Sequence, residues 1–447
     1  MSARDLSVAV CGAGPAGLAA ALRLHAAGAS VTVFDAAPHV GGRTWTDDAA
    51  DGWRIDPAVQ LYSASYDRFF GLLGAAGAGA LAERSPGRDA LWRKGRAHEV
   101  VYGSPASMLA SGALPLQLKL RMGAQYLPFL QRHGGDLDLG ALERAVAAGL
   151  DAESIAAWGR RELGRDFVDL LAAPLLATLY GTLPDEASAG FYHALARQGM
   201  NLEVRALRGG AGGFCRAAAD RLREAGAAVH LSTPVTEVDT AGDGVQVSGQ
   251  GWSQRFGAAV VALPAPEAHR VAKFLTPDAA KTLYGVRVRP AASLALTLNR
   301  PAGVRWFGLS FAPGEARSVA AICVQENKVA GLVPPGKGLL VVFALPHAAE
   351  RLLGATADDA LALLLPDVVR ALPGIDRAVL QARFYDWRDG WTLFGPGALG
   401  RLPALRSLAF DSAPRAVLAG DWMYAPTVEG AVTSGLAAAD RLLVRAS

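Results

Sequence analysis

Cysteine is almost absent: Cys11, Cys215 and Cys323 are the three in 447 residues, far apart and odd in number. That excludes a disulfide framework and fits a reducing, cytoplasmic setting. Long hydrophobic runs are missing too, so no segment is expected to span a bilayer. The opening residues Met1–Asp5 carry no apolar stretch before the first strand, and no secretory leader is expected. The eight histidines are scattered without metal-ligand spacing, so no metal is expected. Neither a Ser-His-Asp nor a Cys-His constellation can be picked out. Excess charge is small, with 44 Lys and Arg against 41 Asp and Glu. No basic cluster with interleaved aromatics appears, which sets nucleic acid aside as a partner. What remains is a globular composition, 51% hydrophobic, in a chain long enough for two or three domains.

Glycine, by contrast, is abundant and placed with meaning. Ser7 to Cys11 is a short apolar run of the kind that fills a central parallel strand. Gly12, Gly14 and Gly17 follow in G-x-G-x-x-G spacing. The first permits a tight turn, the second lets backbone approach a pyrophosphate, and the third lets helix pack on strand. Leu18 to Ala27 reads as a helix closed by Gly28, with an anion site at its N-terminus. Ser30 to Phe34 is a second strand ending in Asp35, an acceptor for adenosine ribose hydroxyls. Gly395, Gly397 and Gly400 repeat the spacing, but they follow Asp386-Trp-Arg-Asp-Gly390 rather than an apolar strand. Pro403 is expected to interrupt any helix there, so that copy reads as a loop.

Pro38-His-Val-Gly-Gly-Arg43 resembles the G-G-R element of the flavin amine oxidase superfamily, which includes monoamine oxidases, protoporphyrinogen oxidases and phytoene desaturases. Two glycines let backbone lie against a cofactor, and an arginine answers diphosphate charge with a forked hydrogen bond. Val417-Leu-Ala-Gly-Asp-Trp422 and Pro426-Thr-Val-Glu-Gly-Ala-Val432 resemble the same superfamily's final flavin motif. There the aspartate implies a bond to a ribityl hydroxyl. The helix N-terminus implies a positive dipole end facing the pyrimidine edge of the flavin. Arg208 to Phe214, then Ala228 to Val235, resemble the glycine-rich entry and the strand whose valine clamps adenine. Ala258 to Pro264 resembles the strand that returns the chain to the pocket. The resemblance implies non-covalent FAD contacted by Gly12, Ala13, Gly14, Pro15, Ala16, Gly17, Asp35, Ala36, Gly41, Gly42, Arg43, Val235, Gly420, Asp421, Glu429, Gly430 and Ala431.

The fold class expected is α/β: a discontinuous Rossmann-like FAD-binding domain, a mixed-sheet substrate domain and a helical lobe. The FAD domain takes residues 1–75, 205–283 and 405–447; the substrate domain takes 76–105 and 284–404; the helical lobe takes 106–204. Leu139 to Leu150 and Glu153 to Leu163 carry helical periodicity, and the segment Glu153 to Gly181 looks more like protoporphyrinogen oxidases than amine oxidases. Ser293 to Leu298 and Gly338 to Leu345 read as strands. Leu114 to Arg132 is apolar with a few basic residues. It reads as core, with contact to a membrane surface as the other option.

The resemblance implies that flavin carries the redox chemistry, with orientation and water exclusion from the protein. Oxidation of a bulky hydrophobic small molecule is the leading expectation, protoporphyrinogen oxidase-like or isoprenoid desaturase-like, with oxygen or a quinone-type acceptor. An amine oxidase releasing peroxide, a redox-neutral isomerase and a structural flavin-binding partner stay open. Against amine oxidation, Thr427 stands where that branch commonly has a tyrosine, Arg289 to Ser293 offers no lysine, and Asp389 to Phe394 holds no cysteine for covalent attachment. Trp391, Phe394, Trp422, Tyr424 and Gln60 are candidates to wall the cavity near the ring; each is equally explicable as packing. At Gln60 the family's Asp-x-Gly has become Asp56-Pro57-Ala58. Substrate identity and oligomeric state are not specified by these residues.

Overall fold

The computed structural model describes residues 6–101, 104–200 and 202–446; the stretch read above for a secretory leader lies outside the described residues. Five short parallel strands form one sheet, in the spatial order Ala228–His230, Ser30–Phe34, Ser7–Cys11, Ala258–Val261, Ala416–Leu418. The central strands are apolar throughout because helices cover both faces. The first helix runs Pro15–Ala26, three residues earlier than its apolar pattern implies, because proline suits the opening position where no N–H is needed. The last helix, Val428–Ala446, packs beside it so closely that a Cβ on Gly435 would lie 2.0 Å from the Ala16 carbonyl oxygen.

A seven-stranded mixed sheet forms the second layer system. Its order is Val379–Thr392, Val288–Leu298, Gly338–Ala344, Val319–Val324, Gly308–Phe311, Arg88–Arg93, Arg96–Val101. All neighbours are antiparallel except Gly308–Phe311 beside Arg88–Arg93. The edge strand Val379–Thr392 includes the Asp386–Gly390 segment that lacks an apolar run; as an edge it needs only one paired side. After it the glycine-rich turn is a loop, as expected, but the helix Leu402–Asp411 follows with Pro403 in its first turn. Proline there opens the helix rather than interrupting it.

Between Pro105 and Gly199 the described chain is mainly helical, and its helix Ala173–Tyr180 packs on the sheet strands Gly308–Phe311 and Val319–Val324. Ile155–Glu162 is capped by the Ser154 hydroxyl, which accepts from the Ala157 N–H. The expected helix at Leu139 to Leu150 shrinks to the single turn Arg144–Ala147. The Asp138 carboxylate takes the Gly140 N–H, and Gly149 adopts φ +72, so both ends are turned before a helix can extend. Leu116–Arg121, a wider turn at Met122–Tyr126, and Leu127–Arg132 make one continuous rod. The core reading of that rod holds for Leu118, Tyr126 and Leu130 but not for Leu116, Leu120 and Leu127, which face outward.

Candidate functional site

Three of the glycines in the first turn have distinct jobs. Gly12 sits at φ +108, and a Cβ there would come 2.4 Å from the Ala262 carbonyl oxygen. A Cβ on Gly17 would come 1.8 Å from the Gly12 carbonyl oxygen, so helix and turn interlock. Gly14 has nothing within 4 Å of where its Cβ would stand. Its only glycine-specific reason is open approach from outside. Gly42, at φ +53, turns the second glycine-rich loop toward the first, so that a Cβ on it would stand 3.8 Å from the Gly14 Cα. The Gly41 N–H donates to the Ala13 carbonyl oxygen at 2.9 Å, tying the two loops together.

Asp35 closes this end. One carboxylate oxygen accepts from the Ala13 N–H at 2.6 Å and the other from the Ala37 N–H at 2.8 Å, across Ala36. Burial raises its carboxyl above the ordinary range, while those two N–H groups and His39 pull it back. The Asp35 N–H donates to the His230 carbonyl oxygen, and Val235 opens the next strand close by.

The early and late motifs meet at Arg43. Its Nη2 lies 3.2 Å from Asp421 Oδ2, and its Nη1 donates to the Gly390 carbonyl oxygen at 3.0 Å. Thr392 Oγ1 donates to the other oxygen of Asp421 at 3.1 Å. Three stretches from the start, the seven-stranded sheet and the end of the chain are thereby joined. The Gly420 N–H donates to Ser434 Oγ, which fixes the turn to the last helix.

Glu429 points elsewhere: its carboxylate accepts from the Arg68 and Phe69 N–H groups and caps the helix Asp67–Ala75. Gly430 leaves no room for a side chain, since a Cβ would lie 2.1 Å from the Ala425 carbonyl oxygen. The Thr427 hydroxyl accepts from the Gly430 N–H at 3.0 Å, so this residue caps the final helix. Ala431 continues that helix.

The cavity candidates divide into two groups. Trp391 and Phe394 stand where the helical lobe meets the seven-stranded sheet. Trp391 packs on Gly181, with Cδ1 2.2 Å from where a Cβ would be, and Phe394 lies 5.6 Å from Phe191 between ring centroids. Tyr180 in turn meets Phe191 edge-on at 5.1 Å. Phe394 and Trp422 also line a small cleft with Val286, Leu393, Leu402 and Leu405. Trp422 is fully buried, donates to the Leu263 carbonyl oxygen and packs on Gly420, which is a framework position. Tyr424 is half-buried beneath the Arg406 guanidinium, 5.1 Å from its ring centre. Arg406 is held in turn by Glu143 of the helical lobe at 2.7 Å.

Gln60 leads to a network that sequence reasoning missed. Lys328 Nζ contacts Asp56 Oδ2 at 2.6 Å with both side chains shut off from solvent, 1% and 0% exposed. Lys328 also donates to Gln60 Oε1 at 3.0 Å, as does Gln325 Nε2 at 2.9 Å. Asp56 Oδ1 accepts from Thr46 Oγ1 and the Ala211 N–H, so that through Lys328 the network ties the seven-stranded sheet to the glycine-rich segment Arg208 to Phe214. A lysine in the polar turn that follows the apolar strand Val319–Val324 is an ordinary surface signal, so only the tertiary pairing reveals it. The same holds for Arg289, whose guanidinium grips both oxygens of Glu186 at 2.8 Å beside Gly181. Among the described residues no cluster of His, Cys, Asp and Glu is arranged to hold a metal.

An open backbone face at Gly14, a helix N-terminus behind it and an arginine at the adjoining loop fit a dinucleotide diphosphate. Fold and site thus have the form of a dinucleotide-binding fold with a separate seven-stranded sheet. The chain belongs to the flavin containing amine oxidoreductase family, whose model matches residues 15–443. It is therefore a flavin-dependent oxidoreductase.

Solved structures agree on the fold. A protein from Exiguobacterium sp. 255-15, provisionally named a protoporphyrinogen oxidase, superposes with TM-score 0.76 at 16% identity over 98% of this chain and 99% of that one. Cyclohexylamine oxidase from Brevibacterium oxydans IH-35A gives 0.75 at 21% identity over 98% and 99%. By sequence, a protein of Synechococcus elongatus provisionally named zeta-carotene desaturase is 41% identical over 75 residues, 16% of this chain and 15% of that one. Curated relatives are matched over only part of their length, from 7% to 58%.

Proposed function

We propose that this protein binds FAD without a covalent link and dehydrogenates a bulky hydrophobic small molecule, with oxygen or a quinone-type compound as the final acceptor. The observation that carries this reading is the aromatic seam of Trp391, Phe394, Phe191 and Tyr180 between lobe and sheet. It offers apolar and aromatic surface to a substrate, and Glu186, which lies beside Gly181, is clamped by Arg289 rather than free to hold an amine. Further support comes from Thr427, which is spent on a helix cap rather than offering a ring, and from Ser293, whose hydroxyl donates to the Pro57 carbonyl oxygen. A non-covalent link is supported by the three thiols, all buried, with burial pushing each up to about 12. A buried neutral thiol is a poor nucleophile.

The residues divide the work as follows. Gly14, Gly42 and the first turn of helix Pro15–Ala26 would receive the diphosphate, Arg43 its charge, and Asp35 and Val235 the adenosine end. Asp421, oriented by Thr392, would accept from a ribityl hydroxyl. Bound flavin supplies acceptance of a hydride. The seam positions the substrate and excludes water, which strengthens every electrostatic interaction inside. The test is anaerobic: tetrapyrrole and polyene candidates are mixed with the yellow holoprotein and flavin absorbance is followed, then recovery in air. Bleaching by such a molecule is expected, with peroxide release from an amine panel near background. Brisk amine turnover, or protein that stays colourless after incubation with FAD, overturns the reading.

A further inference from the structure

At the end of the helix Pro277–Tyr284 the chain turns through Gly285 and Val286 into Arg287. The Arg287 carbonyl oxygen accepts from the Leu393 N–H at 2.9 Å, just past the strand Val379–Thr392. The opening of the helix Leu402–Asp411 borders this junction. Gly285 and Ala398 put little side chain into the space between, and a cleft of about 350 Å³ remains, part of it open to solvent. Its apolar lining is Val286, Leu393, Phe394, Leu402, Leu405 and Trp422. All of these but Val286 are buried, at 6% exposure or less. Pockets that take small molecules begin at about 300 Å³ and are apolar with a few placed polar groups, so the cleft suits a short chain and not a tetrapyrrole.

Arg287 and Arg401 supply the polar part. Both line the cleft, both are exposed, and among the described residues neither guanidinium has a hydrogen bond or an ion pair. Arg401 Nη1 stands 3.9 Å from where a Cβ on Gly285 would lie, and Arg287 Nη1 stands 3.9 Å from one on Gly395, so both heads lie along the rim. The acids at hand are committed elsewhere. Glu186, close enough to feel the charge of Arg287, grips Arg289 through both oxygens. Asp151 accepts from the Ser188 hydroxyl and the Gly400 N–H, and Glu143 holds Arg406. No acid lines the cleft, and Asp278 on the helix Pro277–Tyr284 is offset by Lys281 on the same helix. An apolar floor beneath two unanswered guanidinium groups complements an aliphatic chain that ends in a carboxylate, the head that matches a planar fork.

We propose that this cleft binds a medium-chain aliphatic carboxylate, with the chain on Phe394, Leu405 and Trp422 and the head between Arg287 and Arg401. Phe394 belongs to both the cleft and the aromatic seam, so this ligand and a substrate would share one wall. The site does not depend on which substrate is oxidised and is tested without one. The full chain as purified is titrated with octanoate by calorimetry, with octanol and octylammonium as comparison ligands. Saturable octanoate binding is expected at millimolar concentration or below, with the other two about tenfold weaker or more. Arg287→Gln with Arg401→Gln should weaken octanoate about tenfold or more, and because both side chains are unpaired its thermal melting should match wild type. Arg287→Glu with Arg401→Glu should reverse the preference to octylammonium, which a loss of packing alone does not produce. Wild type without saturable octanoate binding, equal binding of octanoate and octanol, or a well-folded Gln variant that binds octanoate undiminished overturns the proposal. None of these outcomes bears on flavin reduction, so failure here leaves the proposed oxidation standing.

Discussion

Arg43 and Asp421, from opposite ends of the chain, form an ion pair at 3.2 Å in which the carboxylate is buried and the guanidinium also holds the Gly390 carbonyl oxygen. The pair locks the second glycine loop to the final motif at the point where the diphosphate and ribityl chain of FAD would lie. Arg43→Ala removes two charge-assisted bonds and leaves Asp421 only Thr392. A charged hydrogen bond contributes roughly 1.5–3 kcal/mol, so FAD affinity should fall about tenfold to a hundredfold. Arg43→Lys keeps the charge but loses the fork and should fall between. Flavin retained through gel filtration, read from the visible-to-ultraviolet absorbance ratio, checks both; undiminished retention in Arg43→Ala would remove Arg43 from the cofactor site.

Gly14→Ala and Gly17→Ala should fail in different ways. A methyl on Gly17 collides with the Gly12 carbonyl oxygen, and neither backbone segment has room to withdraw. That variant is expected to be insoluble or to melt far below wild type. A methyl on Gly14 meets no protein atom within 4 Å, so the apoprotein should melt normally. Only cofactor affinity should drop, because the methyl fills the space a diphosphate needs. Melting curves with and without FAD separate the two, and a Gly14→Ala protein with full FAD-induced stabilisation contradicts the assignment.

Much of this site could be read from the sequence because its signals are local. The runs Ser7–Cys11 and Ser30–Phe34 are apolar, short and bounded by glycine or an acid, and both are strands at those boundaries. Where local and tertiary signals compete, reading failed. Apolar spacing at Leu139 to Leu150 implied a helix, but Asp138 and Gly149 set turns at its ends. Pro403 looked like a breaker until its position in the first turn of Leu402–Asp411 was known. The Lys328–Asp56 pair joins residues with no local pattern between them, and no periodicity announces it. Exposure of Leu116 and Leu120 is likewise a property of how the rod packs, since a buried helix would show the same letters.

The Lys328–Asp56 pair gives an asymmetric stability prediction. Asp56→Ala strands a buried ammonium with Gln60 as its remaining partner, a loss of about 3–5 kcal/mol. Lys328→Met leaves Asp56 with Thr46 and the Ala211 N–H, so the cost should be nearer 1–3 kcal/mol. Urea unfolding of the two variants checks the order. Equal or reversed losses would mean that Lys328 draws little from the pair.

His193 sets a pH dependence. It is wholly buried among Phe129, Trp158 and Tyr192, shares a hydrogen bond with the Tyr126 hydroxyl at 3.0 Å, and has no partner for Nε2. Burial, aided by the charge of His133, drives it from 6.5 down to about 3. On acidification the unfolded chain takes up the proton first, so stability present above the unfolded value is lost as pH falls toward the folded one. The slope is about 1.4 kcal/mol per pH unit, or about 2 kcal/mol by pH 5. His193→Gln should be less stable at neutral pH but lose correspondingly less between about pH 7.5 and 5. Parallel urea titrations at both values decide it, and identical acid losses in wild type and variant would show that His193 does not titrate in this way.

Gly181 tests the aromatic seam without touching the cofactor grip. It ends the helix Ala173–Tyr180 at φ +55, and its missing side chain is the space Trp391 occupies. Gly181→Ala adds backbone strain of order 1 kcal/mol and pushes a methyl into the indole, which must rotate or shift. Gly390 and Thr392, which hold Arg43 and Asp421, flank Trp391 in the chain, so FAD content should stay near wild type as long as the shift is confined to the indole. If Trp391 walls the substrate cavity, the efficiency of flavin bleaching by a bulky hydrophobic substrate should fall about tenfold or more, since a displacement near 1 Å in a positioning group costs that much or more. A substrate small enough to avoid the seam should be affected far less. Equal loss for both sizes would place Trp391 in the framework instead, and unchanged bleaching with a shifted tryptophan emission would show that the indole moves without bordering the substrate.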